Sequence, residues 1–411
     1  MCISCRIAPE GNPAAWRLIV LNFNYRCSIC SATYDIRPEY TVCPRCAPDQ
    51  PVDQPLRGIL EVELHGSASL RFSVDELLPI ESEFYPPIPV GNTPLWKPLR
   101  LRELTGLNSL YLKDDGANPT SSFKDRASFL VSAAARKFAI GEITLASTGN
   151  AGSSMAGIGA AAGQHINLFL PKSAPPAKLV QALQYGARVF RVNGNYDRAY
   201  DLSLHYSREY GGMNRNTAYN PLTIEGKKTV SLELFEQLGQ VPDMVFVPVG
   251  DGCILAGVYK GFRDLAQLGY SDTLPKIVGV QAQTSDALFR AFHSGEFTST
   301  PTSTVADSIC VDVPRNGAHA LSMLKAYGGQ MMTVSDQEII DAQSLLSRTS
   351  GLFTEPAGAA AFAGLWKMAA ELEPDASVVV LATGNGLKDT GSAALGLEVP
   401  EHCIDAIDEL I

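Results

Sequence analysis

ITLASTGNAGSS, residues 143–154, is the stretch whose reading decides the fold. A short run of Ile, Thr and Leu suits a strand, the glycine-bearing turn STGNAG follows it directly, and the small residues beyond suit the start of a closely packed helix. The same succession returns at VFVPVGDGCILAG, residues 245–257, and at VVVLATGNGLKD, residues 378–389. In an open parallel sheet such turns gather at the carboxyl edge, where ligands bind, so three of them converging on one crevice predict an active site. Working outward, ITLAST, HINLFLP, ARVFRVNG, DMVFVPVG, KIVGVQA and SVVVLATG are apolar runs rich in Val, Ile and Leu, separated by segments of helical spacing such as AKLVQALQYG and IIDAQSLLSRTSG. That alternation predicts an α/β chain whose mostly parallel sheets are covered by helices on both faces. SGEFTSTPTSTVADS, residues 294–308, reads as exposed loop, because Ser, Thr and Pro cluster there.

The chain has 411 residues, 45% of them hydrophobic, enough for one or two well-filled cores. A formal charge of -10 with no basic stretch argues against a nucleic-acid partner or an anionic membrane surface, and for a small-molecule substrate. No apolar run reaches the roughly 18 residues that span a bilayer. The opening MCISCRIAPEGNPAAW lacks the charged and apolar regions of a secretory leader, so a cytoplasmic location is expected.

Nine cysteines in such a chain favour thiols or metal ligation over disulfides. Cys27-x2-Cys30 and Cys43-x2-Cys46 are separated by twelve residues. Each pair offers two thiolates on one tight knuckle, and two knuckles complete a tetrahedral site. The pattern reads as a structural zinc ribbon; the alternative is a ribbon whose fold persists without metal. Cys2 and Cys5 form a third pair, able to compete for metal but expected to be disordered so near a terminus. PVDQPLRG, residues 51–58, reads as a linker from this segment to the rest.

Four motifs carry chemistry. ANPTSSFKDR, residues 117–126, presents Lys124 after a proline turn and at a helix start, where a desolvated amine can form an imine with an aldehyde cofactor. Ser147 to Gly152 put hydroxyls and backbone N–H groups at a helix N-terminus, a ready seat for a carboxylate or phosphate, and Asn150 can donate to a phenolate oxygen. Val249 to Gly257 form a second such nest, able to hold a phosphate without a cation. Asp251 is awkward there and has to point away, cap the helix or bind something else. Thr383 ends a strand, and its neutral hydroxyl can hydrogen-bond a pyridine nitrogen without protonating it. The six histidines, scattered outside the glycine turns, speak against a histidine triad or a catalytic metal.

NPTSSFKDR, ASTGNAGSSMAG, NPLTIEGKKT, VPVGDG, EPAGAAA and TGNGLKD, in this order, resemble the motifs of threonine synthases. These are pyridoxal 5'-phosphate (PLP) enzymes of the tryptophan synthase beta-subunit group, fold type II. YRCSICSATY to CPRC is similar to their zinc-ribbon-like leader, so the likeness spans nearly the whole chain. The resemblance implies two open, mostly parallel α/β domains behind a ribbon segment. It sets residues 1–55 as ribbon and linker and 56–411 as the catalytic region, with a smaller domain at about 130–225 inserted in the larger. It makes Lys124 the imine lysine and proton shuttle, with Phe123 beside the cofactor and Asn150 on its 3'-oxygen. Gly250, Asp251, Gly252, Cys253 and Ile254 become the cup for the cofactor phosphate, and Thr383 the partner of its ring nitrogen. Ser147, Thr148 and Ala151 become the cradle of the substrate carboxylate, and a homodimer is implied.

The implied reaction takes O-phospho-L-homoserine to L-threonine, phosphate leaving from the gamma carbon and water adding at the beta carbon. Two departures stand against it. Where the family usually reads Ser-x-Asn-Pro-Tyr-Arg, this chain has Ala218, Tyr219, Asn220, Pro221, Leu222 and Thr223, and the lost arginine removes charge-assisted bonds to a substrate phosphate. Lys227, Lys228 and Arg215 are the candidates to replace it. The cup also departs, with Asp251, Cys253 and Ile254 in place of an asparagine-rich loop. A second reading therefore stays open, beta-elimination or beta-replacement on an unphosphorylated or differently activated amino acid, as in serine or threonine dehydratases and cysteine or cysteate synthases. A catalytically idle homologue is the third, and retention of Lys124, Asn150 and Thr383 counts against it.

Overall fold

Strands Met244–Pro248 and Ser377–Ala382 are buried at every residue, as strands covered on both faces must be. They form the centre of a six-stranded sheet in a computed structural model that describes residues 21–398, apart from 49, 52, 68–71, 175 and 396. Cys2 and Cys5 lie outside the described residues. The sheet runs in the order Gln330–Val334, Lys276–Ala282, Met244–Pro248, Ser377–Ala382, Ser109–Asp114, Leu95–Trp96. All neighbours are parallel except the last pair. A second sheet of four parallel strands follows the order Arg188–Val192, His165–Pro171, Glu142–Ala146, Met213–Asn214. The six apolar runs are thus all strands, and the chain is α/β with mostly parallel sheets.

The helices start and stop where local chemistry dictates. Helix Asp336–Ser350 opens on a capping box between Ser335 and Glu338 and closes on Gly351 in the left-handed region, φ 77°. Helix Pro356–Met368 has proline in its first turn and is buried from Pro356 to Leu365. Its small residues let it lie close on the large sheet: a Cβ added at Gly364 would meet Val280 Cγ2 at 2.5 Å. Among the described residues no helix is long and apolar enough to cross a membrane.

The cysteine segment forms a three-stranded antiparallel sheet, Thr33–Tyr34, Asn22–Cys27 and Leu60–His65. Its third strand lies past residue 55, so the sheet reaches into the stretch assigned above to the catalytic region. Residues 51–58 are more than a tether. The Leu56 N–H donates to the Arg315 carbonyl at 2.9 Å and Gln54 Nε2 to the Phe297 carbonyl at 3.2 Å, because a chain running over the core satisfies its polar groups there.

Helix Lys124–Lys137 is fixed by charge as well as by packing. Arg126 Nε bonds Asp115 at 2.6 Å, its Nη1 bonds Glu233 at 2.5 Å, and Lys113 Nζ bonds the same Glu233 at 2.7 Å, all buried. These bonds hold the first turn of the helix, two residues from Lys124. Breaking a buried pair strands the partner charge, so Arg126→Met is expected to cost about 3–5 kcal/mol of unfolding free energy. Urea denaturation of the variant checks it; a loss within experimental error of zero would mean that the network does not carry this turn.

Candidate active site

Lys124 is the first residue of its helix. The turn before it is held against the third glycine turn: the Phe123 N–H donates to the Thr383 carbonyl at 2.9 Å and the Asn385 N–H to the Ser121 carbonyl at 3.0 Å. Ser121 takes a left-handed conformation, φ 68°, a strain that non-glycine residues keep mainly at functional sites. Lys124 lines a cavity of about 390 Å³, and among the described residues its amine has no hydrogen-bond or ion-pair partner.

The STGNAG turn closes one side. Ser147 Oγ accepts from the N–H groups of Gly149 at 3.2 Å and Gly152 at 3.0 Å, which caps helix Asn150–Ala162. The N–H groups of Thr148, Asn150 and Ala151 have no acceptor among the described residues. They are the free donors that a helix N-terminus offers an anion. A Cβ built on Gly149 would meet nothing within 4 Å, consistent with open space above the turn.

VGDGCILAG closes the other side. Asp251 caps its helix: its Oδ1 accepts from the Cys253 N–H at 2.9 Å. The N–H groups of Gly250, Gly252, Ile254 and Leu255 have no acceptor among the described residues, which leaves a nest of donors. Gly252 needs to be glycine, since it sits at φ 87° and a Cβ would stand 2.8 Å from Ala320 Cβ.

Lys124, Ser147, Thr148, Asn150, Ala151, Gly250, Asp251, Gly252 and Ile254 therefore share one cavity. Phe123, Cys253 and Thr383 do not line it; they are buried behind its wall at 1%, 0% and 6% exposure. Burial pushes the Cys253 thiol up, as expected of an inert filler rather than a nucleophile.

Some residues at the site carry no sequence signal of their own. Asn150 Nδ2 donates to both carboxylate oxygens of Glu355 at 2.9 Å and to Ser308 Oγ at 3.2 Å. Burial raises the Glu355 pKa, against the bond from Asn150 and the charge of Lys124. Glu355 was visible only as the head of EPAGAAA. Ser308 belongs to the segment read as exposed loop, but Ala306 and Ile309 are buried and Asp307–Ile309 is a short 3-10 turn on the cavity wall. Arg315 and Asp197 pair at 2.5 Å, both lining the cavity. A second space of about 460 Å³ shares Gly149, Asn150 and Ser308 with the first and contains Lys388, whose amine donates to Ser153 Oγ at 2.9 Å.

The four expected metal ligands also come together. Cys27, Cys30, Cys43 and Cys46 place their sulfurs within 4.8 Å of one another. Two of the separations are 3.9 Å, Cys27 to Cys46, and 3.7 Å, Cys30 to Cys43. A tetrahedron with Zn–S arms of about 2.3 Å has edges of about 3.8 Å, so the thiols are set for zinc. Gly58, at φ 68°, lets the backbone pass beneath: a Cβ there would stand 3.0 Å from Cys43 Cβ. Tyr34 adds its hydroxyl, 3.2 Å from Cys43 Sγ, the outer support such ligands usually have.

Comparison with known proteins agrees with this geometry. The family model described as "Pyridoxal-phosphate dependent enzyme" matches residues 88–384. The chain is 35% identical over 416 residues to a protein named threonine synthase from Methanosarcina acetivorans, covering 95% of this chain and 98% of that one. A threonine synthase from Methanocaldococcus jannaschii is 38% identical over 75% of this chain and 78% of its own. Among solved structures, a threonine deaminase of Solanum lycopersicum superposes with a TM-score of 0.63 at 23% identity, covering 74% of this chain and 87% of that one, which speaks for the fold alone. The chain belongs to the threonine synthase family of pyridoxal-phosphate dependent enzymes.

Proposed function

We propose that this enzyme converts O-phospho-L-homoserine to L-threonine and phosphate. The observation that carries the proposal is the unpaired amine of Lys124 between two turns whose backbone donors are free. The likeness to named threonine synthases over most of the chain supports the choice of substrate.

The residues fit the cofactor. A cavity of about 390 Å³ lies within the usual range for such ligands, the Gly250–Ile254 nest suits a phosphate, and the Lys124 amine is free to anchor an aldehyde. Pyridoxal 5'-phosphate, when bound, supplies a sink for the electron pair left as the alpha proton departs. In this reading Lys124 takes that proton and later returns it. The N–H groups of Thr148 and Ala151 orient the substrate carboxylate, and the Ser147 hydroxyl holds the turn that presents them. The Asn150 amide is held by Glu355 and Ser308, and on releasing one of these bonds it would donate to the cofactor's 3'-oxygen. Thr383, buried behind the wall, would be the partner of the ring nitrogen. The reading takes residues 130–225, which contain the four-stranded sheet, as a smaller domain inserted in the larger, and the enzyme as a cytoplasmic homodimer.

One observation favours the second reading. Thr223 is fully buried and its hydroxyl donates to the Asn220 carbonyl at 2.7 Å, so position 223 offers a phosphate nothing. Incubation with O-phosphohomoserine, O-phosphoserine, serine and threonine, each assayed for phosphate and 2-oxo acid, separates the two. Phosphate and threonine in equal amounts from O-phosphohomoserine are expected. A 2-oxo acid from serine or threonine with no phosphate turnover would turn the assignment to a dehydratase-like reaction.

A further inference from the structure

Six lysines and arginines of the described residues are buried, and four of them have acid partners. Lys113 and Arg126 pair with Glu233, while Lys228 and Lys260 pair with Asp264. Arg215 and Lys227, each 1% exposed, form no ion pair among the described residues. Arg215 donates from Nε to Ser128 Oγ at 3.3 Å and from Nη1 to Thr217 Oγ1 at 3.2 Å, and its Nη2 is buried with no partner. Lys227 Nζ has one bond, to the Thr223 carbonyl at 3.2 Å.

Both unpaired cations belong to one place. Lys227 packs on the helix that the second glycine turn opens, where a Cβ added at Gly257 would meet Lys227 Cβ at 2.6 Å, and the Asp251 carboxylate of that turn draws on both cations. Thr217, which holds the Arg215 guanidinium, and Asp251 both line the cavity. Asp251 forms no ion pair with either cation among the described residues, and its Oδ1 is turned to the helix cap at Cys253. Burial therefore pulls the Arg215 pKa down to about 10 and that of Lys227 to about 8. An unpaired buried charge persists in a fold when something else supplies its partner. Of the three candidates for the charge missing at position 223, Lys228 is already engaged by Glu225 and Asp264, and these two remain.

We propose that Arg215 and Lys227 are a buried anchor for a phosphate monoester, reached past Thr217 and Asp251. Two phosphates can supply that chemistry, the cofactor's and the one on the distal end of the substrate. For the second source the inference rests on the proposed function; for the first it rests on the cavity and the family. In either case the pair offsets the repulsion that Asp251 would otherwise exert on a phosphate in this cup.

The test uses the full chain stripped of cofactor, as wild type, Lys227→Met, Lys227→Arg and Arg215→Gln. Inorganic phosphate is expected to raise the melting temperature of wild type and of Lys227→Arg, and to leave Lys227→Met and Arg215→Gln unmoved. Without phosphate, Lys227→Met is expected to melt no lower than wild type, because it removes an unpaired buried charge. If the cofactor is the source, Lys227→Met binds pyridoxal 5'-phosphate about ten- to a hundredfold more weakly, the loss of one charge-assisted contact, with unphosphorylated pyridoxal unaffected. If the substrate is the source, the same loss appears in O-phosphohomoserine binding to the holoenzyme, with homoserine unaffected. An equal phosphate response in all four proteins, with both affinities unchanged, overturns the proposal. Should Lys227→Met fail to fold, Arg215→Gln against Lys227→Arg decides. A holoenzyme that does not turn over O-phosphohomoserine would sink the proposed function while the inorganic phosphate and cofactor measurements still stand.

Discussion

Lys124→Ala is expected to lower kcat/KM by about four orders of magnitude or more, the upper end of what a positioned acid–base group contributes, with the loss of the cofactor's anchor added. Borohydride treatment of the wild type should fix the cofactor on the peptide containing residue 124, seen by mass spectrometry, and the variant should show no adduct. The structure makes this a clean experiment. The amine has no hydrogen-bond or ion-pair partner among the described residues, so its removal breaks no direct bond to a buried group. The turn that presents it is held by backbone bonds to Thr383 and Asn385, which the substitution leaves in place. Stability should therefore change by no more than about 0.5–1 kcal/mol, and a folded variant that still traps cofactor would mean that another lysine is the anchor.

Much of the large architecture was legible because its signals are local. A run such as SVVVLA, apolar at every position and followed by a glycine turn, has few ways to fold other than as a strand between two layers of helix. Strand Ser109–Asp114 was not legible. It reads SLYLKD, and its lysine looks like a surface charge until the partner Glu233, far along the chain, is brought to it. Strands Met213–Asn214 and Leu95–Trp96 have two residues each and no periodicity to detect. At the site the pattern is the same. The glycine turns and Lys124 announce themselves, whereas Glu355, Ser308 and Arg315 matter only through contacts that sequence does not order. The segment at 294–308 shows the limit most plainly. Ser, Thr and Pro do mark its exposed part, but composition carries no sign that Ala306 is buried or that Asp307 and Ser308 line the cavity. Asp251 is a middle case: three options could be named from the sequence, and the bond to the Cys253 N–H selects the helix cap.

The two buried lysines at 227 and 228 make the same argument about chemistry. They are neighbours of equal type, yet one is neutralised by Glu225 and Asp264 and the other by nothing in the described chain. Helix geometry sends consecutive side chains in different directions, so adjacent identical residues meet different surroundings. Which of the two is structural could be learned only once Asp264, thirty-six residues on, was in place.

Stripping metal from the cysteine cluster is expected to have the largest effect on stability of any change considered. Zinc analysis should give about one ion per chain, and Cys27→Ser should lose it. Structural zinc contributes about 10–16 kcal/mol to small zinc-finger peptides near neutral pH, and part of that is expected here because the ribbon also packs on the core. Cys27 and Cys43 are buried, and without an ion their sulfurs keep only weak thiol contacts in place of metal bonds. The sheet should then loosen, seen as faster hydrogen exchange in Asn22–Cys27 and Leu60–His65. The disturbance should not stop at the ribbon. Glu61, on its third strand, bonds His319 at 3.0 Å and also pairs with Arg263, and the Leu56 N–H holds the carbonyl of Arg315, a residue that lines the same cavity as Lys124. Loss of zinc is thus expected to weaken cofactor binding as well as lower the melting temperature. A metal-free protein with wild-type exchange in those two strands would mean that hydrogen bonds and packing alone keep the ribbon folded, with the four thiols a relic of a site no longer used.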